Sequence, residues 1–185
     1  LVTLGLACLT LAIVLLAVLR QTFAAQPAGT EGGAAGQSAA LPTAAAPHEG
    51  PPYTIAIDAG HGGTDIGAEG VINEIQLTEA TIGYLEGWLT QDENYTPVRT
   101  HAADTFSKNT ERAAAANSAG ASLLLSVHGN SDPYSSDSYG LECYPQPPGR
   151  THHEDSLRLA HLIADKFGAA GQRLRGNAGV RYIYY

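Results

Sequence analysis

An α/β fold, with a sheet at least partly parallel, is predicted from three observations. Short apolar runs at 53–58 and 122–128 break into glycine-containing turns. Stretches with helical periodicity, one from Asn73 through Trp88 and others at 108–119 and 154–170, lie between or after them. The two kinds of segment alternate along the chain, which is the pattern of strands joined by helical crossovers.

Taken in order, Tyr53 to Asp58 reads as a buried strand. Asn73 is placed as a helix N-cap, with Gln76 three residues on to complete a capping box. The helix behind it turns Leu77, Thr81, Tyr84, Leu85 and Trp88 to one side. Asn94 to Thr100 reads as a strand weakened by Pro97. Lys108 to Ala119 is an alanine-rich helix stopped by Gly120. Ser122 to His128 is a second buried strand, and Gly140 to Tyr144 a short aromatic third. Glu154 to Ala170 reads as a helix with Leu157, Ala160, Ile163, Ala164 and Phe167 inward. Arg181 to Tyr185 reads as a last strand.

The first 52 residues have a different composition. Leu1 to Leu19 is almost continuously apolar and Arg20 ends it. At about 1.5 Å per residue it just spans a bilayer core of about 30 Å. Residues 1–20 are therefore read as a transmembrane signal anchor or a signal peptide, the length favouring the anchor. Residues 21–52, rich in Ala, Gly, Pro, Ser and Thr, form an expected disordered tether, because they carry too little apolar surface to offset ordering entropy. Residues 53–185 form the expected folded domain. Anchor, tether and domain in that order imply extracytoplasmic work in the cell envelope, membrane-anchored or secreted.

The net charge of -8 argues against a nucleic-acid partner, which needs a basic face. Two cysteines, Cys8 and Cys143, build no disulfide framework. Chemistry is concentrated in His61, Glu74 and His128. His61 follows a strand in Ile57-Asp58-Ala59-Gly60-His61-Gly62-Gly63, where glycines let the backbone turn tightly around an imidazole. Glu74 opens a helix, where an acid is also expected from the helix dipole alone. His128 ends the second strand, with Gly129 leaving room beside it. Two imidazoles and a carboxylate are a ligand set for catalytic zinc, and strand ends are where open α/β sheets place their chemistry. Each residue has a plainer reading: a histidine in a glycine turn, a helix-cap acid, a hydrogen-bonded core histidine. Asp58 is placed to orient His61 through its second ring nitrogen, and Asn130 to hold a loop or contact substrate.

Other motifs drop out. No Lys-Ser or Lys-Thr follows the glycines, and Asp65 stands where a dinucleotide motif needs glycine. There is no Gly-x-Ser-x-Gly elbow. His152 and His153 are adjacent and cannot serve one site from a regular element. His161 and Asp165 suit a surface pair. His101 is read as an exposed loop residue.

In order, these residues resemble the zinc-dependent N-acetylmuramoyl-L-alanine amidases of the Amidase_3 family. The resemblance runs from about Tyr53 to the end: Ile57 to Gly63, Asp65-Ile66-Gly67-Ala68, Asn73-Glu74, Arg99-Thr100 with Asp104-Thr105-Phe106, Glu111-Arg112 with Ala116-Asn117, Ser126 to Asn130, and Gly140-Leu141-Glu142. It implies a mixed, mostly parallel twisted sheet flanked by helices, of about six strands in the full family, one Zn2+ on His61, Glu74 and His128, and hydrolysis of the lactyl–L-Ala amide of peptidoglycan. It also implies a catalytic Glu in a strand-then-loop segment after the last helix. That segment is expected beyond Tyr185, so this stretch alone is expected to lack its acid/base and to be inactive if nothing follows. The role passes to neither Glu142 nor Glu154; Glu142 is expected to be structural or substrate-binding. Two other readings share the scaffold, a zinc peptidase acting on stem peptides and a catalytically inactive wall-binding module.

Overall fold

A computed structural model describes residues 50–132, 134, 138–176 and 178–183. The anchor or signal peptide and nearly all of the tether lie outside these residues. Among the described residues no helix is long and apolar enough to cross a membrane. The chain divides into two compact units, with the boundary after Ser131.

The first unit holds strand β1 (Tyr53–Ala59), helix α1 (Glu74–Thr90), strand β2 (Tyr95–Arg99), helix α2 (Asn109–Ser118) and strand β3 (Leu123–Val127). The strands form a parallel sheet in the order β2-β1-β3. Ile55 stands opposite Pro97 on one side and Leu123 on the other. Placing β1 centrally explains its apolar sequence, since both its edges are paired and its residues from Ile55 to Ala59 are buried. Pro97 is tolerated because β2 has a ladder partner on one side only within the described sheet.

Helix α1 packs on the sheet. Its N–H groups at Glu74 and Ile75 donate to Ala68 O and Ile66 O, and Gln76 Oε1 accepts from the Asn73 N–H at 2.9 Å, the expected capping interaction. The buried stripe is Glu74, Thr78, Thr81, Ile82, Leu85 and Leu89. This corrects the expected face: Tyr84 is exposed, while Leu77 and Trp88 are half-buried. The phase is set by polar contacts as well as by apolar burial. Glu74 turns inward, and one turn later the Thr78 hydroxyl donates to Gly60 O at 2.9 Å. Ile82, Leu85 and Leu89 follow on the same side, each worth about 1.5–3 kcal/mol of burial.

Strand β3 is also corrected. It was expected to be buried throughout, but Leu124 and Ser126 are exposed and only Val127 is fully buried. As an edge of the described sheet it alternates, and Ser126 Oγ donates instead to Asp58 Oδ2. Helix α2 ends as expected: Gly120 has φ 63, and the Ala121 N–H donates to Ala116 O at 3.1 Å.

The second unit is built on helix α3 (His153–Ala169), which buries Ala160, Ile163, Ala164 and Phe167 as expected, with Leu157 half-buried. The strand expected at 140–144 is reduced to two isolated parallel bridges, Leu141 with Leu174 and Cys143 with Val180. Pro145, Pro147 and Pro148 follow it and lack the N–H groups a longer ladder needs. The strand expected from Arg181 is not formed at 181–183, and residues 184 and 185 lie outside the described residues. The pairing stops at Val180, and positive φ at Gly176, Ala178 and Gly179 bends the chain just before it.

Candidate metal centre

His61, Glu74 and His128 converge in the first unit. One ligand atom from each lies within 4.8 Å of those of the other two. Glu74 is the shared partner. Its Oε2 is 3.1 Å from His61 Nε2, and its Oε1 is 3.0 Å from His128 Nδ1. The two imidazole rings stand edge to face, with centroids 5.1 Å apart.

Each element delivers its ligand for a local reason. The parallel register carries β1 and β3 to the same end of the sheet, and the Gly60 N–H donates to Val127 O at 2.8 Å. The next residues in each strand are His61 and His128. His61 itself takes the left-handed conformation, φ 72, followed by Gly62 and Gly63 with φ 145 and 57. A non-glycine residue there is strained by about 1–3 kcal/mol, a condition that clusters at functional sites. The reversal folds Asp65 back onto Gly62 through two backbone hydrogen bonds. Helix α1 begins at Glu74, so its first turn presents the carboxylate from a rigid position.

Glycines make the space. A Cβ on Gly67 would stand 2.5 Å from His61 Cδ2 and 2.7 Å from Glu74 Cβ. A Cβ on Gly60 would stand 2.5 Å from the His128 ring. The Gly129 N–H donates to Glu74 Oε1 at 2.7 Å, and the Ala68 N–H to Oε2 at 3.1 Å. Burial of Glu74 opposes its ionisation. The two backbone N–H groups, the His128 ring and the neighbouring His61 together outweigh that cost and bring its pKa down to about 2. The group is therefore anionic at any ordinary pH.

Asp65 was not among the expected site residues. Its Oδ2 lies 3.0 Å from His61 Nδ1, and its Oδ1 accepts the Gly67 N–H at 3.1 Å. The hydrogen bond from His61 holds the Asp65 carboxyl below its ordinary range. Asp65 thus performs the orienting role assigned to Asp58. That assignment is corrected: Asp58 accepts from Thr100, Ser126 and Arg112, and so braces the ends of β1, β2, β3 and α2. The sequence signals for Asp65 are its position four residues after His61, beyond a run of glycines, and its place in the Asp65-Ile66-Gly67-Ala68 stretch of the family resemblance.

The donor set fits a divalent cation. In the tautomer that gives its Nδ1–H to Asp65, His61 directs the Nε2 lone pair at the Glu74 carboxylate. Two electron-rich groups 3.1 Å apart are stabilised by positive charge between them. Two imidazoles and one carboxylate suit zinc with a position left open.

Asn130 is exposed, at φ 38. In the second unit, Glu142 pairs with Arg175 Nε at 2.6 Å and Arg181 Nη1 at 3.2 Å and accepts from the Tyr144 hydroxyl, a structural engagement. His101 is corrected: its side chain is only 4% exposed, and its Nε2 lies 2.9 Å from Ala59 O. His161 and Asp165 are exposed, as expected. Burial pushes the Cys143 thiol up to about 11, in keeping with an inert packing residue.

The profile of the N-acetylmuramoyl-L-alanine amidase family, Amidase_3, matches residues 55–182. Several solved structures are similar. The catalytic domain of CwlV, N-acetylmuramoyl-L-alanine amidase from Bacillus (Paenibacillus) polymyxa var. colistinus, superposes with a TM-score of 0.59 at 30% identity, over 72% of this chain and 71% of that one. N-acetylmuramoyl-L-alanine amidase AmiC2 of Nostoc punctiforme gives 0.62 at 26%, over 74% and 72%. The N-acetylmuramoyl-L-alanine amidase from Clostridium difficile 630 gives 0.59 at 26%, over 71% and 69%. A search of curated proteins returns no match.

Proposed function

This chain belongs to the N-acetylmuramoyl-L-alanine amidase family, Amidase_3, and from that premise we propose that it is a zinc-dependent hydrolase of the amide between the lactyl group of N-acetylmuramic acid and L-Ala in peptidoglycan. The observation that carries the reading is the convergence of His61, Glu74 and His128, three residues far apart in sequence, onto one small volume.

His61, Glu74 and His128 hold the metal. When bound, zinc supplies Lewis acidity that polarises an amide carbonyl and acidifies water. The protein's own part is to keep the ligands fixed. Asp65 sets the His61 tautomer so that Nε2 faces the metal, and the Ala68 and Gly129 N–H groups keep Glu74 ionised and oriented. No described residue is assigned the acid/base role, which the family resemblance places after the last helix. The apolar segment 1–20 and the tether support work at the outer face of a membrane, with the wall as partner.

Two measurements test this. Metal analysis of the purified chain is expected to give one zinc per molecule and near-total loss in His128→Ala; full retention would refute the ligand assignment. Mass spectrometry of muropeptides treated with the full-length protein is expected to find glycan with a free lactyl group and peptides beginning with L-Ala. Cuts within the stem peptide would mark a peptidase instead. Wall binding with no cleavage would mark a non-hydrolytic module.

A further inference from the structure

We propose that Arg112 is a positioning residue for the metal centre, acting through the backbone of His61 and touching neither metal nor substrate. The inference rests on the metal reading above and deepens it.

Arg112 is only 5% exposed, and an arginine so buried needs partners for its whole guanidinium. It has them, and three of the four belong to the segment that ends in the ligand. Nη1 donates to Ala59 O at 2.6 Å and to Asp58 Oδ1 at 3.1 Å. Nη2 donates to His61 O at 2.7 Å. Nε donates to Ser107 O at 2.9 Å, fixing the guanidinium at the start of α2. The flat fork therefore grips the peptide on each side of Gly60, where the extended strand gives way to the left-handed His61.

That conformation does not hold itself. At φ 72 a histidine is disfavoured relative to an extended or right-handed backbone. A relaxed φ would swing the Cα–Cβ bond and carry the imidazole away from Glu74. Asp65 fixes the ring once it is there. Arg112 fixes the carbonyl, and so the backbone from which the ring departs. Asp58 neutralises the guanidinium and is itself held by Thr100 and Ser126, so the clamp is tied to all three strands. Lysine keeps the charge opposite Asp58 but cannot span two carbonyls and a carboxylate in one plane.

The test measures zinc affinity by chelator competition in the full chain and in Arg112→Lys, Arg112→Gln and Arg99→Lys, with circular dichroism as the check on folding. Arg99 pairs with Glu79 and Glu86 and serves as the control for loss of a half-buried guanidinium in the same unit. Zinc affinity is expected to fall about 10–100-fold in Arg112→Lys, the range for residues that orient a metal ligand, and to stay within about twofold in Arg99→Lys. The rise in melting temperature on adding zinc is expected to shrink in parallel, because it reports binding to the folded state. A merely structural arginine would lower both melting temperatures equally and leave that rise intact, which would overturn the proposal. So would equal affinity losses in the Arg112 and Arg99 variants. If Arg112→Gln does not fold, Arg112→Lys decides; if neither folds, Arg112 is a folding residue and the proposal is overturned. Failure of the unmodified chain to bind zinc would instead reject the metal reading itself.

Discussion

Gly67→Ala isolates the effect of space at the metal centre. Two costs follow from the structure. Gly67 has φ 69, and an L-residue there costs about 1–2 kcal/mol. The added methyl also meets His61 Cδ2 at 2.5 Å and His61 Nε2 and Glu74 Cβ at 2.7 Å. None of these is the far end of a flexible chain. His61 is pinned by Asp65, and Glu74 Cβ is set by the first turn of α1, so relief requires moving a ligand. Overpacking of this kind costs about 1–3 kcal/mol, for a total of about 2–5 kcal/mol. Gly171→Ala supplies the comparison, since Gly171 has φ 75 and nothing within 4 Å of the added methyl. It carries the backbone term alone. Urea unfolding of the metal-free variants is expected to separate them by about 1–3 kcal/mol. Zinc affinity is expected to fall at least about tenfold in Gly67→Ala, the lower end for displaced ligands, and to be unchanged in Gly171→Ala. Equal stability losses together with unaltered zinc binding in Gly67→Ala would refute the packing argument.

Asp65→Asn keeps the shape but offers an N–H to His61 Nδ1, which moves the ring proton to Nε2 and blocks ligation. Zinc affinity is expected to drop about 10–100-fold with little change in circular dichroism. The depressed pKa of Glu74 stabilises the metal-free fold above the ordinary carboxylate value of 4.5, and that contribution is lost as pH falls towards about 2. An acid titration followed by circular dichroism is expected to show a shallower loss of stability over that window in Glu74→Gln than in the unmodified chain.

The three candidate ligands that converge were legible because each sits at a boundary that sequence marks well. His61 and His128 follow apolar runs, and Glu74 follows a capping residue. Their partners were not, because those contacts depend on how the chain reverses. Asp65 and Asp58 both lie near His61 in sequence, and only the left-handed turn decides which carboxylate reaches Nδ1. The phase of α1 was misjudged because Tyr84 and Trp88 outrank threonine in hydrophobicity. The helix instead docks Thr78 on Gly60 O, a match visible only once the turn is placed. His101 resembled any loop histidine, yet a backbone carbonyl at the end of β1 gives its buried ring a partner. The expected short strand at 140–144 is only two isolated bridges, because aromatic and apolar composition marks extended backbone but not the length of its ladder.

The backbone at residue 61 sets stability and chemistry against each other. Glycine would occupy that conformation without steric penalty, and the empty scaffold would gain folding free energy from the exchange even after losing the contact to Asp65, if the strain exceeds the worth of that one bond. A library selected only for heat resistance would then drift away from histidine here, and its survivors would be sturdy proteins without a metal. Selection for turnover would hold the imidazole in place, and a destabilised hinge beside the first strand would persist as the signature of that pressure.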